Sequence, residues 1–247
     1  MCCCYSTGVC LSSSSFDCNS LVGKAHIKRI GMSSIISSSS TYSAITSLTE
    51  VLKDLHFRTR YEWVDRGVRE YFSRYKWSSW VHRFVDAYPL EKNAQDDVIF
   101  VNKVGQVDNV CHRQEGSDGD FFYMYSVLII HLHVLLPFDD FTMGVLRILN
   151  VAPTQRHPTY WAALHAFRIL CKLLGMTPSP LVFYHHYSTH PKDSISWLSL
   201  FGRSKSCLLT PYTFSFKSYE NKFFKVGVNP SSCSNFYNGD KPKFSFF

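Results

Sequence analysis

The stretch LNVAPTQRHPTYWAALHAF, residues 149–167, decides the fold because two prolines separate two helix-like segments. Pro153 drives the residue before it toward an extended conformation and prevents the preceding helix from continuing. Pro158 does the same to His157 and then supplies a fixed dihedral that helps to start the next helix. Trp161 falls in the first turn of that helix, where it can cover the seam between the two helices. We therefore predict a stiff structural corner made by Pro153, His157, Pro158 and Trp161, and not a reactive site.

The segments on both sides of this corner carry helical periodicity. Upstream, FDDFTMGVLRIL (138–149) repeats apolar residues three and four positions apart, and Asp139 and Asp140 suit the positive end of a helix dipole. Downstream, TYWAALHAFRILCKLLG (159–175) continues the same rhythm and ends on Gly175, a typical residue just beyond a helix C-terminus. Two helices joined across the corner are thus the predicted centre of the protein.

The apolar run FFYMYSVLIIHLHVLLPF (121–138) raises the question of a membrane span, because it contains no Lys, Arg, Asp or Glu. His131 and His133 interrupt the run, Pro137 closes it, and acidic residues flank both ends. No Lys- or Arg-rich side would set an orientation in a bilayer. These features favour a buried helix, and we predict no membrane partner.

Beyond Gly175 the pattern changes to short runs rich in aromatic and β-branched residues, separated by Pro, Gly and Ser. They are PLVFYHHY (180–187), SWLSL (196–200), SCLLTPY (206–212) and KFFKVGV (222–228). Such runs are typical of strands. The predicted fold class is α+β, with a central α-helical core and a small β-rich C-terminal portion.

Composition along the chain suggests four segments. The first is Ser-rich and holds five of the nine cysteines, so it cannot bury a core and predicts a disordered or targeting-like leader. In the second, YEWVDRGVREYFSRYKW (61–77) has the spacing of a helix. The predicted segments are a leader over 1–46, a helical N-terminal part over 47–110, a main region over 111–227 and a loose tail over 228–247.

The cysteines show neither a C-x-x-C pair nor metal-ligand spacing, and the chain begins without the pattern of a secretory signal. We interpret the thiols as reduced and the protein as intracellular, in the nucleus or cytoplasm. The alternative is that the Ser-rich leader targets the protein to an organelle, because transit peptides also contain few acidic residues.

The net charge of +7 is concentrated in the C-terminal hundred residues. Positions 150–247 hold eleven Lys and Arg against three Asp and Glu, a net +8. Basic residues interleaved with aromatics suit contact with a nucleic-acid backbone together with base stacking. The alternative is an ordinary solvated surface over an aromatic core. The candidate nucleic-acid-binding residues are Arg203, Lys205, Lys217, Lys222 and Lys225.

Recognisable catalytic sets are missing from the sequence. A two-metal nuclease or transposase needs three carboxylates, and no motif identifies a third beside Asp139 and Asp140. The segment HHYSTH (185–190) is the best metal candidate, but no fourth ligand can be named for it. The sequence accordingly predicts no catalytic residue, no metal site and no cofactor.

Three motifs carry a resemblance to a known family: LPFDDFTMGVLRILNVAPTQRHPTYWAALHAFRILCKLLG (136–175), WLSLFGR (197–203) and SFKSYENKFFKV (215–226). Their order and spacing resemble the plant gypsy-type transposon domain, also labelled gypsy-type transposase, over about 121–227. Arg156 departs from the pattern, because an apolar residue is usual there in the family. The long coiled-coil region of many members is also missing here.

The resemblance implies a transposable-element origin but not an established activity. The function expected from it is a non-enzymatic, Gag-like assembly module or a nucleic-acid-associated module. The expected partners are nucleic acid and further copies of the chain. Two alternatives stay open: a divergent metal-dependent transposase, and a degenerate element remnant with no present role.

Overall fold

The computed structural model describes residues 66–91, 99–110, 120–192, 195–203, 208–209 and 216–246. The predicted leader lies outside these residues, as does Lys205. The predicted α+β class is confirmed, because helices and antiparallel sheets both occur along the described chain.

The described elements are numbered here in chain order. The α-helices are α1 (Ser78–Ala87), α2 (Ser126–Ile130), α3 (Asp140–Leu149), α4 (Pro158–Leu173) and α5 (Pro180–His186). The strands are β1 (Ile99–Asn102), β2 (Phe121–Tyr125), β3 (Tyr187–Lys192), β4 (Ile195–Gly202), β5 (Phe223–Val228), β6 (Tyr237–Asn238) and β7 (Lys241–Pro242). Short 3₁₀ turns occupy Arg66–Glu70, Pro153–Gln155 and Pro230–Asn235.

The central sheet has the order β1-β5-β2, and both pairings are antiparallel. Val226 of β5 lies opposite Val101 of β1 on one side and opposite Phe122 of β2 on the other. All five residues of β2 are buried, so this strand is covered on both faces. A second, two-stranded sheet is the β3–β4 hairpin, and β6 pairs with β7.

Two of the predicted elements are of the wrong type. The run at 121–138 begins with strand β2 and not with a helix, because an unbroken apolar run lacks the period that separates the two structures. The run at 180–187 forms helix α5 and not a strand. Pro180 occupies the first turn of α5, where a backbone N–H has no partner within the helix, so its missing N–H costs no hydrogen bond. The ring of Phe183 packs against that of Tyr187, four residues later, at 4.9 Å.

The helix predicted over 61–77 is also corrected in its described part. A 3₁₀ turn at Arg66–Glu70 is followed by extended chain, and α1 begins only at Ser78. The extended segment is used in pairing: the Ser73 hydroxyl donates to the Phe223 carbonyl, and the Arg74 N–H donates to the Asn221 carbonyl at 2.8 Å. Tertiary hydrogen bonds have therefore overridden the local helical spacing.

The tail predicted to be loose over 228–247 is packed instead. Phe236, Phe244 and Phe246 are buried, and their rings lie 5.5–6.0 Å from the ring of Phe122 in β2. Burying three phenylalanines is worth several kcal/mol, on the order of 1.5–3 kcal/mol each, which fixes a segment whose local sequence signals only turns.

The predicted boundary at 110/111 falls within one structural unit. β1 comes from the N-terminal side of that boundary, and its partner β5 comes from the C-terminal side. A single hydrophobic cluster also runs through both parts, from Val68 to Phe246. No helix within the described ranges is both long and apolar enough to cross a membrane.

Candidate functional site

The corner begins where α3 ends. α3 starts at its N-cap Asp139, whose carboxylate accepts the Thr142 N–H at 2.8 Å, and it stops at Asn150 in the left-handed conformation (φ 49°). The chain then makes the 3₁₀ turn Pro153–Gln155, in which the Gln155 side chain accepts the Ala152 N–H at 2.7 Å. Local hydrogen bonds thus hold the link between the two helices rigid.

The second half of the corner starts α4. His157 is the N-cap, and its Nδ1 accepts the Thr159 N–H at 3.2 Å, while Pro158 is the first helical residue. Trp161 is 2% exposed, and its Nε1–H donates to the Pro153 carbonyl at 3.3 Å. Its ring lies 5.4 Å from that of Phe138. The structure therefore brings the corner residues together in a packing and capping role.

Arg156 lies inside this corner and is fully buried. Its Nη2 donates to the Val145 carbonyl at 2.8 Å, and the guanidinium lies 4.5 Å from the ring centre of Tyr160. Nε and Nη1 have no hydrogen-bond partner among the residues that the structure describes. Sequence reasoning noted Arg156 only as a departure from the family pattern, since a buried arginine carries no local signal.

A chain of hydroxyl groups adjoins Arg156. The Tyr160 hydroxyl lies 2.9 Å from that of Tyr184 and 3.2 Å from Thr189 Oγ1, and Tyr184 donates to the Val145 carbonyl at 3.3 Å. Burial raises the pKa of Tyr184 well above its usual value; the Tyr160 hydroxyl adds to the rise and the Arg156 charge offsets part of it. The tyrosine therefore stays protonated at neutral pH and offers no nucleophile. Its hydrogen-bond network joins residues of α3, α4, α5 and β3.

The predicted nucleic-acid-binding residues fall into two groups. Lys225 and Arg203 make internal contacts: Lys225 Nζ lies 2.9 Å from Asp108 Oδ2 and 4.5 Å from the Phe121 ring centre, and Arg203 Nε donates to the Tyr184 carbonyl at 3.3 Å. Lys217 and Lys222 precede β5 on the surface, the first exposed and the second half-buried. These two are free to face a phosphate backbone, whereas Lys225 already neutralises a buried carboxylate.

The structure also shows the surroundings of the histidine and aspartate candidates for metal binding. The His185 and His186 rings are 4.9 Å apart, and His190 packs on Phe201 at 5.6 Å. Asp139 both caps α3 and pairs with Arg168 at 2.8 Å. In the part of the chain that is described, no three His, Cys, Asp or Glu side chains come together as a metal site would require.

A surface that the sequence analysis did not single out lies around the start of α1. Trp77 is 62% exposed and Trp80 50% exposed, although tryptophan is usually buried for most of its area. The signal was present in FSRYKWSSWVHRF (72–84), which alternates aromatic and basic residues without any Asp or Glu. The 3-4 spacing of the aromatic residues over 61–77 predicts a core-facing helix there, so the sequence did not indicate an exposed surface.

Comparison of the chain with protein-family models, with curated proteins and with solved structures finds no match in any of the three.

Proposed function

We propose that this protein is a transposable-element-derived, non-enzymatic module that associates with nucleic acid in the manner of a Gag-like packaging protein. The observation that carries the proposal is the charge of the C-terminal segment: residues 150–247 have a net charge of +8, and Lys172, Lys217 and Lys241 within them are exposed. A cationic surface attracts polyanions and releases their counterions on binding. The family resemblance supports the element origin, and the proposal places the protein in the nucleus or cytoplasm.

Self-association is the second half of a packaging role. Leu173, Leu174, Met176 and Leu181 are exposed around the C-terminus of α4 and the start of α5, with Leu173 exposed for 74% of its area. A second copy of the chain is the occupant that a Gag-like role implies for this apolar surface. Sedimentation of the full chain over a hundredfold concentration range tests it, with Leu173→Glu as the variant. Oligomers that the variant abolishes support assembly; a strict monomer at every concentration counts against it.

The divergent transposase is the alternative, and Asp140 is the carboxylate on which to test it. In the structure Asp139 caps a helix and pairs with Arg168, which accounts for its carboxylate without metal chemistry. Metal-dependent nicking of DNA that is lost in Asp140→Ala, whose side chain is exposed, would favour the transposase over the packaging module.

The proposed association is tested by fluorescence anisotropy of the full 247-residue chain with labelled single-stranded RNA and with duplex DNA over a salt series. Affinity that falls linearly on a logarithmic salt scale is expected, because phosphate contacts release bound counterions. A preference for RNA favours packaging, and a preference for the duplex favours the transposase. The absence of binding at low salt would overturn the proposal and favour the alternative of a degenerate element remnant with no present role.

A further inference from the structure

The most exposed aromatic surface of the described chain lies outside the basic C-terminal segment. We call it the tryptophan ridge and define it by Phe72, Lys76, Trp77, Trp80 and Arg83. Phe72 is 46% exposed, and the two tryptophans are exposed for half of their area or more. Trp80 and Arg83 lie three residues apart on α1 and are neighbours on one helix face, and Trp77 is the N-cap immediately before the first turn.

The ridge stands on a rigid base. The opposite face of α1 is buried through Val81 and Phe84, and the Phe84 ring lies 5.0 Å from that of Phe224 in the central strand β5. The extended chain before α1 is tied down as well, because the Tyr75 carbonyl accepts the Val104 N–H at 2.9 Å. Rings held on such a base lose little conformational freedom when a flat partner stacks on them.

The charge around the ridge is predominantly positive, with Glu70 before it and Asp86 near the end of α1. Residues 71–85 include Arg74, Lys76 and Arg83 but no Asp or Glu, and the first turn of α1 contains no acidic residue. The Lys76 ammonium lies 5.1 Å from the Phe72 ring centre and donates to the Gln106 carbonyl at 3.0 Å. This positions one positive charge directly beside an exposed ring.

Exposed aromatic rings beside positive charges match the chemistry of an unpaired nucleic-acid strand. Bases stack on the rings whatever their identity, and phosphates meet the basic side chains. A duplex offers no free base faces, because its bases are stacked on each other. An acidic protein segment would meet the positive charges but supplies few flat faces for the two indole rings, whereas an unpaired strand supplies both phosphates and bases.

We propose that the tryptophan ridge binds single-stranded nucleic acid, with bases stacked on Trp77 and Trp80 and phosphates contacted by Lys76 and Arg83. The inference rests on the proposed function and deepens it: it assigns base contact to α1 and leaves the C-terminal lysines to contact phosphates elsewhere on the strand. The substrate class is unpaired RNA or DNA of any sequence.

The experiment measures the affinity of the full chain for fluorescein-labelled oligo(U) and oligo(dT) by anisotropy, over a salt series. The ridge variants are Trp77→Ala and Trp80→Ala. The matched control is Phe201→Ala, which removes an aromatic ring from strand β4. Phe201 is 50% exposed, as Trp80 is. Circular dichroism and thermal melting check that every variant folds, which is expected because these side chains are exposed.

Each ridge variant is expected to weaken binding about fivefold or more, the loss that follows from one stacked base, while the control stays at the wild-type affinity. The salt slope of the Trp variants should stay unchanged, because their phosphate contacts are intact. In Arg83→Gln the slope should fall by about 0.7. Trp80→Phe, which keeps a ring, should retain most of the affinity.

The outcomes separate this inference from the proposed function. Wild-type binding that Trp77→Ala and Trp80→Ala leave unchanged would overturn the ridge and leave the C-terminal lysines as the binding surface. Equal losses for duplex and single strands would overturn base stacking. If Trp77→Ala and Trp80→Ala lost binding to anionic lipid vesicles but kept binding to oligonucleotides, the ridge would be assigned to a membrane surface instead. No binding by the wild type would overturn both proposals.

Discussion

Arg156 is a fully buried cation whose Nη2 donates to the Val145 carbonyl, whose guanidinium lies over the ring of Tyr160, and whose charge acts on the Tyr184 hydroxyl. Removing a charge from water is expensive, and replacing a buried ionic group by an apolar one of similar volume is often neutral or stabilising. Arg156 is therefore the residue at which the chain departs most clearly from an ordinary core.

We expect Arg156→Met to raise the free energy of unfolding by about 1 kcal/mol or more, because it keeps most of the volume and removes the desolvated charge. Arg156→Ala should lower it instead, through the cavity that it leaves. Urea denaturation of the two variants measures both effects. A large loss of stability in Arg156→Met would show that the guanidinium makes stronger contacts than those to Val145 and Tyr160.

Trp161 is the residue that closes the corner. Trp161→Ala removes both the packing against Phe138 and the hydrogen bond to Pro153, so the free energy of unfolding should fall by about 3–5 kcal/mol. Trp80→Ala is the matched control, because half of its side chain is exposed, and its effect should stay within about 0.5 kcal/mol. Equal effects of the two substitutions would contradict the packing described here.

His165 on α4 links stability to pH. Burial lowers the pKa of His165, the positive charge of Arg168 and the neighbouring His133 lower it further, and Asp139 acts in the opposite direction. A histidine whose folded pKa is depressed stabilises the protein fully above its unfolded pKa, about 6.5, and this contribution is lost as the pH falls through the folded value. Thermal melting between pH 7.5 and pH 5 should show a smaller drop in His165→Gln than in the wild type. Parallel curves would exclude a role for His165.

At the scale of elements, α3 depends on a single capping residue. Asp139→Ala removes both the bond to the Thr142 N–H and the ion pair with Arg168, and should cost about 1–2 kcal/mol. Asp139→Asn keeps the cap and loses only the exposed ion pair, so its effect should be less than about 1 kcal/mol. Chemical denaturation compares the two. Equal losses in Asp139→Asn and Asp139→Ala would show that the charge, and not the capping bond, stabilises α3.

How far the sequence predicts the elements depends on whether the signal is local. The two helices around the corner follow from Pro153, Pro158 and the 3-4 spacing, and the end of α4 follows from Gly175, which adopts φ 64° while the Met176 N–H returns to the Cys171 carbonyl. The type of β2 did not follow, because a strand buried on both faces and a buried helix look alike in sequence.

The candidate site was less predictable than the fold. The basic residues were visible, but their roles depend on non-local neighbours: Lys225 pairs with Asp108, more than a hundred positions earlier. The same is true of Arg156, which contacts the Val145 carbonyl of α3 and acts on the Tyr184 hydroxyl of α5. The tryptophan ridge was visible as an acid-free aromatic stretch, yet only the exposure of Trp77 and Trp80 distinguishes a binding surface from a core-facing helix.

At the scale of the whole molecule, β5 joins the two halves. It pairs with β1 on one side and β2 on the other, and Lys225 on β5 needs Asp108 to neutralise it. We therefore expect a fragment of residues 110–247 to lose its cooperative thermal transition, because it leaves an edge of β5 unpaired and Lys225 without its carboxylate. Melting and limited proteolysis of the fragment beside the full chain test this. A fragment that melts cooperatively near the temperature of the full chain would contradict the single unit described here.

The central claim is that this fold presents a surface for unpaired nucleic acid. The most direct test is the affinity of the full chain for oligo(U) over a salt series, measured for the wild type and for the combined variant Trp77→Ala, Trp80→Ala. We expect wild-type affinity that falls steeply with salt and a combined variant that binds at least fivefold more weakly at every salt concentration. A wild-type chain that binds no oligonucleotide at low salt would contradict it.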